Sequence, residues 1–481
     1  MINLPSSSDV LIIGGGATGA GIARDLAMRG INVILAEQKD FCAGASGSNH
    51  GMLHSGARYA YSDKESAREC AEENEILKRT AFSCIEDTGG FFVALPEDDE
   101  AFAEDFPKNC KSAGVFTREL SISEALREEA LLNQDITRVF EVKDAAVDPF
   151  MLVNANIASA RAAGAVIANY TKVISMKLDE EGVSSVTVER AGKRCEIKAK
   201  IIINAAGAWA GGIAAMAGQK LEVGIDKGTM AVIDGRAADH LINRLRKPAD
   251  ADILVPHRSA TIVGTTSSPG NLDSIRPTAD EVESLLREAS KTITGLHSMR
   301  AVRAYSGVRP LAGAGGRNAS RNFSITKHQN MISVIGGKLT TYRLIAEKAA
   351  DEAAGFLNVS SKCRTDREEL PVLEKIQSGQ EVCSCEMVSK DSLINWSKSE
   401  DVTCAADLMR RTRAGMGYCQ SGLCAFDIVA CMEGDPAELL QDFLAERWKG
   451  EEAVLYDQQL RQEAFKSHLF KVYNIDHSGG N

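Results

Sequence analysis

Hydrophobic and polar positions along the first forty residues follow two periods in turn. Residues 9–13 (Asp-Val-Leu-Ile-Ile) are a short apolar run rich in β-branched side chains, and Gly14-Gly15-Gly16-Ala17-Thr18-Gly19 follows directly. Residues 20–29 then carry apolar side chains at helical spacing, Gly30 stands where a helix stops, and residues 32–36 form a second apolar run closed by Glu37. The pattern predicts strand, glycine turn, helix and strand, a βαβ unit of about 30 residues. Residues 199–207 (Ala-Lys-Ile-Ile-Ile-Asn-Ala-Ala-Gly) and 331–337 (Met-Ile-Ser-Val-Ile-Gly-Gly) repeat the motif of a buried strand entering a glycine turn. The second of these precedes a helix predicted from Thr340 to about Leu357. A parallel sheet assembled from three separated stretches accounts for all of them.

Alternation at 186–200, 228–233 and 261–264 suits strands of a second, sheet-rich layer that interrupts the first. From 360 to 382 the chain turns polar and apolar periodicity is lost, which predicts a linker at 359–380. A cysteine-bearing module at 381–435 and a helical tail at 436–481 follow, the tail marked by Leu439, Leu440, Phe443, Leu444 and Trp448. The expected fold class is α/β: residues 1–358 form a Rossmann-type dinucleotide-binding domain with an inserted sheet-rich substrate domain, and a small all-α module completes the C-terminus.

Composition narrows the function. The chain has 481 residues, 55 Lys and Arg against 66 Asp and Glu, a net charge of −11, and 44% hydrophobic residues. That excludes disorder as the main state, and the acidic balance argues against nucleic acid as the partner, since steering to a polyanion needs a basic face. No apolar run approaches the roughly 20 residues of a membrane span. Residues 1–9 lack a basic region and the apolar run behind them ends in glycines, so a secretory signal is not expected and a cytoplasmic protein is.

The glycine turn carries the first chemistry. Gly14 permits the tight turn, Gly16 lets the backbone approach a pyrophosphate, Gly19 lets helix and strand pack closely, and Glu37 is placed to accept ribose hydroxyls. The carboxylate disfavours a 2′-phosphate; the pattern leaves NAD and FAD open. His50 and His54 are four apart, but the glycines around them argue against the helix that a zinc pair needs, and no Glu completes H-E-x-x-H. Neither G-x-S-x-G nor a complete P-loop is present. Of twelve cysteines, eight show no ligand-type spacing; Cys383-Ser384-Cys385 and, after 33 residues, Cys419 and Cys424 form two close pairs able to hold zinc or an iron–sulfur cluster.

Several segments together resemble the A subunits of anaerobic glycerol-3-phosphate dehydrogenases, a family of FAD-dependent enzymes. They are Gly14 to Gly19, Asn49-His50-Gly51-Met52-Leu53-His54-Ser55-Gly56-Ala57-Arg58-Tyr59, Val147-Asp148-Pro149-Phe150, Asn204-Ala205-Ala206-Gly207, Gly264-Thr265-Thr266, Tyr305-Ser306-Gly307-Val308-Arg309-Pro310-Leu311 and Gly336-Gly337-Lys338-Leu339-Thr340-Thr341-Tyr342-Arg343. The cysteine module, with Thr412-Arg413-Ala414-Gly415-Met416-Gly417-Tyr418 before its third cysteine, resembles the [2Fe-2S] domain of bacterioferritin-associated ferredoxins. The resemblance implies FAD, with Ser46, Asn49, Gly207 and Gly337 joining Gly14, Gly16, Gly19 and Glu37 at the cofactor. It implies Arg58, Arg309, Arg321 and Lys338 as a cationic set around glycerol 3-phosphate, with Tyr59 beside them, and Arg309, Lys338 and His54 at the reaction. His54 is the expected base and His50 the alternative. It also implies electron transfer through a [2Fe-2S] cluster on Cys383, Cys385, Cys419 and Cys424 to partner subunits and a quinone, on the inner face of the cell membrane. A dehydrogenase of 2-hydroxyglutarate type and a non-catalytic electron relay are the alternatives.

Overall fold

Residues 7–13 form a strand because a continuous apolar run satisfies a parallel sheet buried on both faces. In the computed structural model, which describes residues 4–273, 275–313, 322–373 and 376–472, Ser7–Ile13 lies at the centre of an eight-stranded sheet. The parallel part runs Met331–Ile335, Lys193–Asn204, Ser7–Ile13, Val33–Ala36, Val166–Ala168, with Ile12 opposite both Ile203 and Leu35. The three expected stretches meet here. The edge strand Val166–Ala168 is too short to leave a period in the sequence.

Alternate residues of these strands face different neighbours. Val10, Ile12, Val33 and Leu35 pack against the helices Ala17–Met28, Pro149–Ala162 and Tyr342–Phe356. Leu11, Ile13, Ile34 and Ala36 pack against Val173, Val186 and Val188. Those valines correct one expectation, because residues 186–200 belong to the first sheet and not to a second layer. Thr171–Asp179, Gly182–Arg190 and Lys193–Asn204 form an antiparallel meander, and the last strand passes without a break from pairing with Gly182–Arg190 to pairing with Ser7–Ile13. The alternation at 186–200 reflects a partly solvated hairpin.

The second layer is a nine-stranded sheet built around Val223–Asp234, which pairs antiparallel with Ala301–Ala312 and with Ala260–Gly264. Gly90–Ala94, Arg118–Leu120 and Arg138–Val142 extend it, strands that the apolar pattern of the chain does not mark.

Beyond residue 380 come the helices Lys390–Ser397, Ala405–Thr412, Ala425–Val429, Pro436–Glu451 and Asp457–Val472. The module is not all-α, because Glu381–Cys383 and Val388–Ser389 pair as a short hairpin that closes through Met387 at positive φ. Leu440 and Phe443 share one apolar cluster with Cys383, Leu408 and Cys424. The segment before the module has no helix or strand among its described residues, yet it is tied down: the buried Arg24 donates to the Glu368 carbonyl at 2.7 Å, and the Leu370 amide donates to Thr80.

Buried ion pairs seat the module on the first part. Arg411 forms two hydrogen bonds to Asp40, at 2.5 and 3.0 Å, and Arg410 a third at 2.6 Å. Arg413, held in the left-handed region at φ 69°, spans from Asp148 at 2.9 Å to Glu386 at 2.8 Å. Asp148 also caps the helix Pro149–Ala162 through the amides of Phe150 and Met151. Burial alone pushes the Asp148 carboxyl up; the Arg413 guanidinium outweighs it, with help from His257 and Arg258, and holds it at about 2. A carboxyl depressed in the fold stabilises it above the unfolded value, near 4, and that contribution is lost as pH falls from there toward 2. Asp148→Asn, which can still cap the helix, is therefore expected to lower neutral-pH stability by roughly 2 kcal/mol and to flatten the acid limb of the stability curve between about pH 4 and 2. Urea unfolding across that range checks it; parallel curves for both proteins would contradict it.

Candidate functional site: a dinucleotide cleft and a cluster of four thiols

The glycines of the first turn have different reasons to be glycine. A Cβ at Gly14, whose φ is +113°, would lie 2.5 Å from the Ala205 carbonyl oxygen, and one at Gly19 would overlap the Gly14 carbonyl. These two serve packing. A Cβ at Gly16 would meet only the Ser46 side chain, its hydroxyl at 3.0 Å, and otherwise enters open space at the start of the helix Ala17–Met28. That space is the cradle a pyrophosphate needs: backbone N–H groups and the positive end of the helix face it, and no protein atom fills it.

Ser46 accepts from the Ala17 amide at 2.9 Å, so its hydroxyl stands at the same helix end. Glu37 accepts from the amides of Gly15 (2.6 Å) and Lys39 (2.8 Å), one per carboxylate oxygen, which leaves each oxygen a further lone pair for a ribose hydroxyl. Burial raises its pKa against those two bonds. Asn49 works on the loop itself, donating to the carbonyls of Ala45 and Ser46 and accepting from the Gly51 amide. Gly207 and Gly337, both at positive φ, sit at the ends of the two other strand-to-turn motifs and line the same cleft, as does Trp209, which no sequence motif marks.

His50, His54, Tyr59 and Lys338 stand next to one another in the cleft, which Arg309 also lines. His54 is buried, its amide donates to the Thr340 hydroxyl at 2.9 Å, and its ring meets Tyr59 edge-on with centroids 5.3 Å apart. His50 lies 5.9 Å from it, ring to ring, and Met52–Leu53 between them is a strand, not the helix of a zinc pair. Lys338 stands over the Tyr59 ring at 4.7 Å and donates to the Ser66 hydroxyl at 3.0 Å. Arg309 is paired with Asp226 and donates to the Thr265 hydroxyl at 2.7 Å, so part of its charge is already neutralised. Asp226 was not legible in advance, since nothing marks it until Val223–Asp234 pairs with Ala301–Ala312.

One member of the expected cationic set does not join these. Arg58 does not line the cleft; it pairs with the buried Asp252 at 2.9 Å. Residues 57–59 form a 3₁₀ turn, which sends successive side chains about 120° apart, so Tyr59 faces the cleft and Arg58 faces away. Arg321 lies outside the described residues.

Cys383, Cys385, Cys419 and Cys424 come together within the module. Cys385 and Cys419 sulfurs are 3.6 Å apart, and the Cys424 thiol hydrogen-bonds both Cys383 and Cys419, lowering the pKa of each. The Gly415 amide donates to the Cys383 sulfur at 3.3 Å. A side chain at Gly417 would collide with Cys385. At Cys383 and Cys419 this favours the thiolate, the form that binds metal, whereas burial pushes Cys385 up to about 11 and the bonds it makes to Cys383 and Cys419 push Cys424 up. Among the described residues, no three or more His, Cys, Asp or Glu side chains are arranged to hold a single metal ion.

Comparison with known proteins agrees with this geometry. Residues 9–351 match the model of the FAD dependent oxidoreductase family. The A subunit of the anaerobic glycerol-3-phosphate dehydrogenase of Escherichia coli K12 is 39% identical over 97% of this chain and 96% of its own length. The FAD-bound L-α-glycerophosphate oxidase of Mycoplasma pneumoniae superposes with a TM-score of 0.64 over 76% of this chain and all of that one, at 20% identity. The FAD complex of glycerol-3-phosphate dehydrogenase from Bacillus halodurans does so with 0.60 over 99% of this chain and 97% of its own, also at 20%. At that identity the superpositions speak for the fold alone, whereas the match to the Escherichia coli dehydrogenase spans almost both full chains. The chain belongs to the FAD-dependent oxidoreductase family, within the group of anaerobic glycerol-3-phosphate dehydrogenase A subunits.

Proposed function

We propose that this chain oxidises sn-glycerol 3-phosphate to dihydroxyacetone phosphate and passes the electrons through a [2Fe-2S] cluster to partner subunits and a quinone. The observation that carries the reading is that Lys338, Tyr59 and two histidines stand next to one another in the cleft that also holds the pyrophosphate cradle, and that Arg309 lines the same cleft. FAD, when bound, supplies the acceptor for the hydride that leaves the secondary carbon. Arg309 and Lys338 are placed to hold the substrate phosphate. The guanidinium does so through planar N–H donors that Asp226 and Thr265 keep in position, and the ammonium as a point charge steadied by Ser66. His54, fixed through Thr340 and Tyr59, takes the hydroxyl proton. His50 is the alternative base.

The four cysteines suit a binuclear cluster better than one zinc ion, because their sulfurs meet pairwise in a chain instead of around one point. Such a cluster carries one electron at a time where the substrate yields two, so it serves as the exit. In this reading residues 1–358 bind flavin and substrate, 359–380 form a strap, and 381–435 hold the cluster with 436–481 beside them. The protein works in the cytoplasm at the inner face of the membrane through its partners. No helix among the described residues is long and apolar enough to cross a membrane.

Gly16→Val is expected to purify folded and colourless, since its side chain meets only the Ser46 side chain and otherwise enters the cradle; a normal flavin complement would contradict the placement. Anaerobic glycerol 3-phosphate is expected to bleach the flavin and 2-hydroxyglutarate to leave it oxidised. With His54→Gln the rate constant of bleaching should fall about 10²-fold or more with little change in substrate affinity, and with Arg309→Lys affinity should fall while FAD is retained. Equal behaviour of parent and variants would remove both roles. Cys419→Ser with Cys424→Ser should lose the cluster's paramagnetic signal and keep substrate bleaching near the parent rate; zinc in the parent by elemental analysis would refute the cluster.

A further inference from the structure

A cavity of about 930 Å³ lies behind the loop that carries Asn49, between the nine-stranded sheet and the C-terminal helices. Lys39, Ala43 and Asn49 line both it and the dinucleotide cleft, so the loop is a wall with a space on either side. Arg303 reaches the cavity from the strand Ala301–Ala312, and Arg447 from the helix Pro436–Glu451. The two are adjacent: Arg303 Nη1 donates to the Arg447 carbonyl oxygen at 2.9 Å. Arg447 is only 3% exposed; one of its terminal nitrogens meets the Met409 sulfur at 3.2 Å, another donates to Gln420, and its Nε is buried with no partner among the described residues.

Neither guanidinium has an ion pair among the described residues. The carboxylates that act on them through space, Glu446 and Glu451, are within 2.7 and 2.8 Å of Lys449 and Lys466 instead. The other arginines at the cavity include Arg410, neutralised by Asp40 and Asp407, and Arg413, neutralised by Asp148 and Glu386. A side chain at Gly450 would run into the Arg303 guanidinium, so the glycine keeps room for that cation. Burial and mutual repulsion pull Arg303 down to about 9, and burial lowers Arg447 as well. These two neighbouring cations are offset only through space, by Glu446 and Glu451 and, at Arg447, by the Cys419 and Cys424 sulfurs, and an anion that bonds to both at once would compensate them better.

We propose that this cavity binds a phosphate-bearing organic anion, its phosphate on Arg303 and Arg447 and its apolar body against Tyr305, Ile262 and Phe443. A doubly charged phosphate offers acceptors to both guanidiniums at once, which one carboxylate does less well. The volume exceeds what inorganic phosphate fills and is that of a small-molecule site. The inference stands apart from the proposed reaction, since neither arginine lines the flavin cleft.

The test uses the full-length, FAD-loaded protein with phenyl phosphate, phenol and inorganic phosphate as probes in calorimetry and thermal unfolding. Phenyl phosphate is expected to bind saturably and raise the melting temperature, and phenol to do neither. Inorganic phosphate should bind more weakly than phenyl phosphate. Arg303→Gln and Arg447→Gln should each weaken phenyl phosphate binding at least tenfold with FAD content unchanged. Arg303→Gln, which relieves repulsion, should be at least as heat-stable as the parent without ligand, so it remains informative if the Arg447 variant does not fold. Absence of phenyl phosphate binding, binding no tighter than inorganic phosphate, or binding unaffected by Arg303→Gln would overturn the proposal.

Discussion

Asp40 holds the molecule together across its longest reach in sequence. It is 1% exposed and accepts three hydrogen bonds from Arg410 and Arg411, some 370 residues away. Burial alone would raise its pKa; the two guanidiniums outweigh that and lower it. An ion pair this deep adds little over an apolar contact of equal volume, but removing one side leaves a buried charge at a cost of about 3–5 kcal/mol. The interaction therefore acts mainly as a lock on geometry. Three residues earlier, Glu37 turns the other way to take the Gly15 amide at the dinucleotide site. One short turn after Val33–Ala36 thus sets the cradle with one carboxylate and seats the cysteine module with the next.

The same logic recurs at Asp148, whose carboxylate caps a helix of the flavin-binding part and holds Arg413. Arg413 continues to Glu386, the neighbour of Cys385. Two buried ion-pair groups fix the four thiols relative to the loop that carries Asn49 and His50. Electron transfer between two cofactors depends on their separation, and fixed separation is what such pairs supply. The cavity with Arg303 and Arg447 lies along this seam, where the same type of side chain is left without a carboxylate.

What was legible in the sequence was local. Gly14, Gly16, Gly19 and Glu37 lie within one βαβ unit, and Cys419 and Cys424 within one turn, so spacing alone locates them. Pairings across the chain left no such trace: Asp226 against Arg309, Ser66 against Lys338, and Asp40 against Arg411 exist only once the sheets have formed. Arg58 does not follow Tyr59 into the cleft, because adjacency in sequence is not adjacency in a 3₁₀ turn. Residues 186–200 alternate as a sheet with one wet face does, and alternation cannot say to which sheet a hairpin belongs. Gly90–Ala94, buried along its whole length, has no alternation to detect.

The proposed function stands or falls with the order in which electrons move, from substrate to flavin to cluster. Rapid anaerobic mixing of glycerol 3-phosphate with the protein, loaded with both cofactors, resolves that order when followed optically and by freezing for paramagnetic resonance. Flavin absorbance is expected to fall first, and the signal of the reduced cluster to rise after it in the same molecules, without partner subunits. A flavin that stays oxidised, or one that bleaches while the cluster signal never appears, would contradict that order.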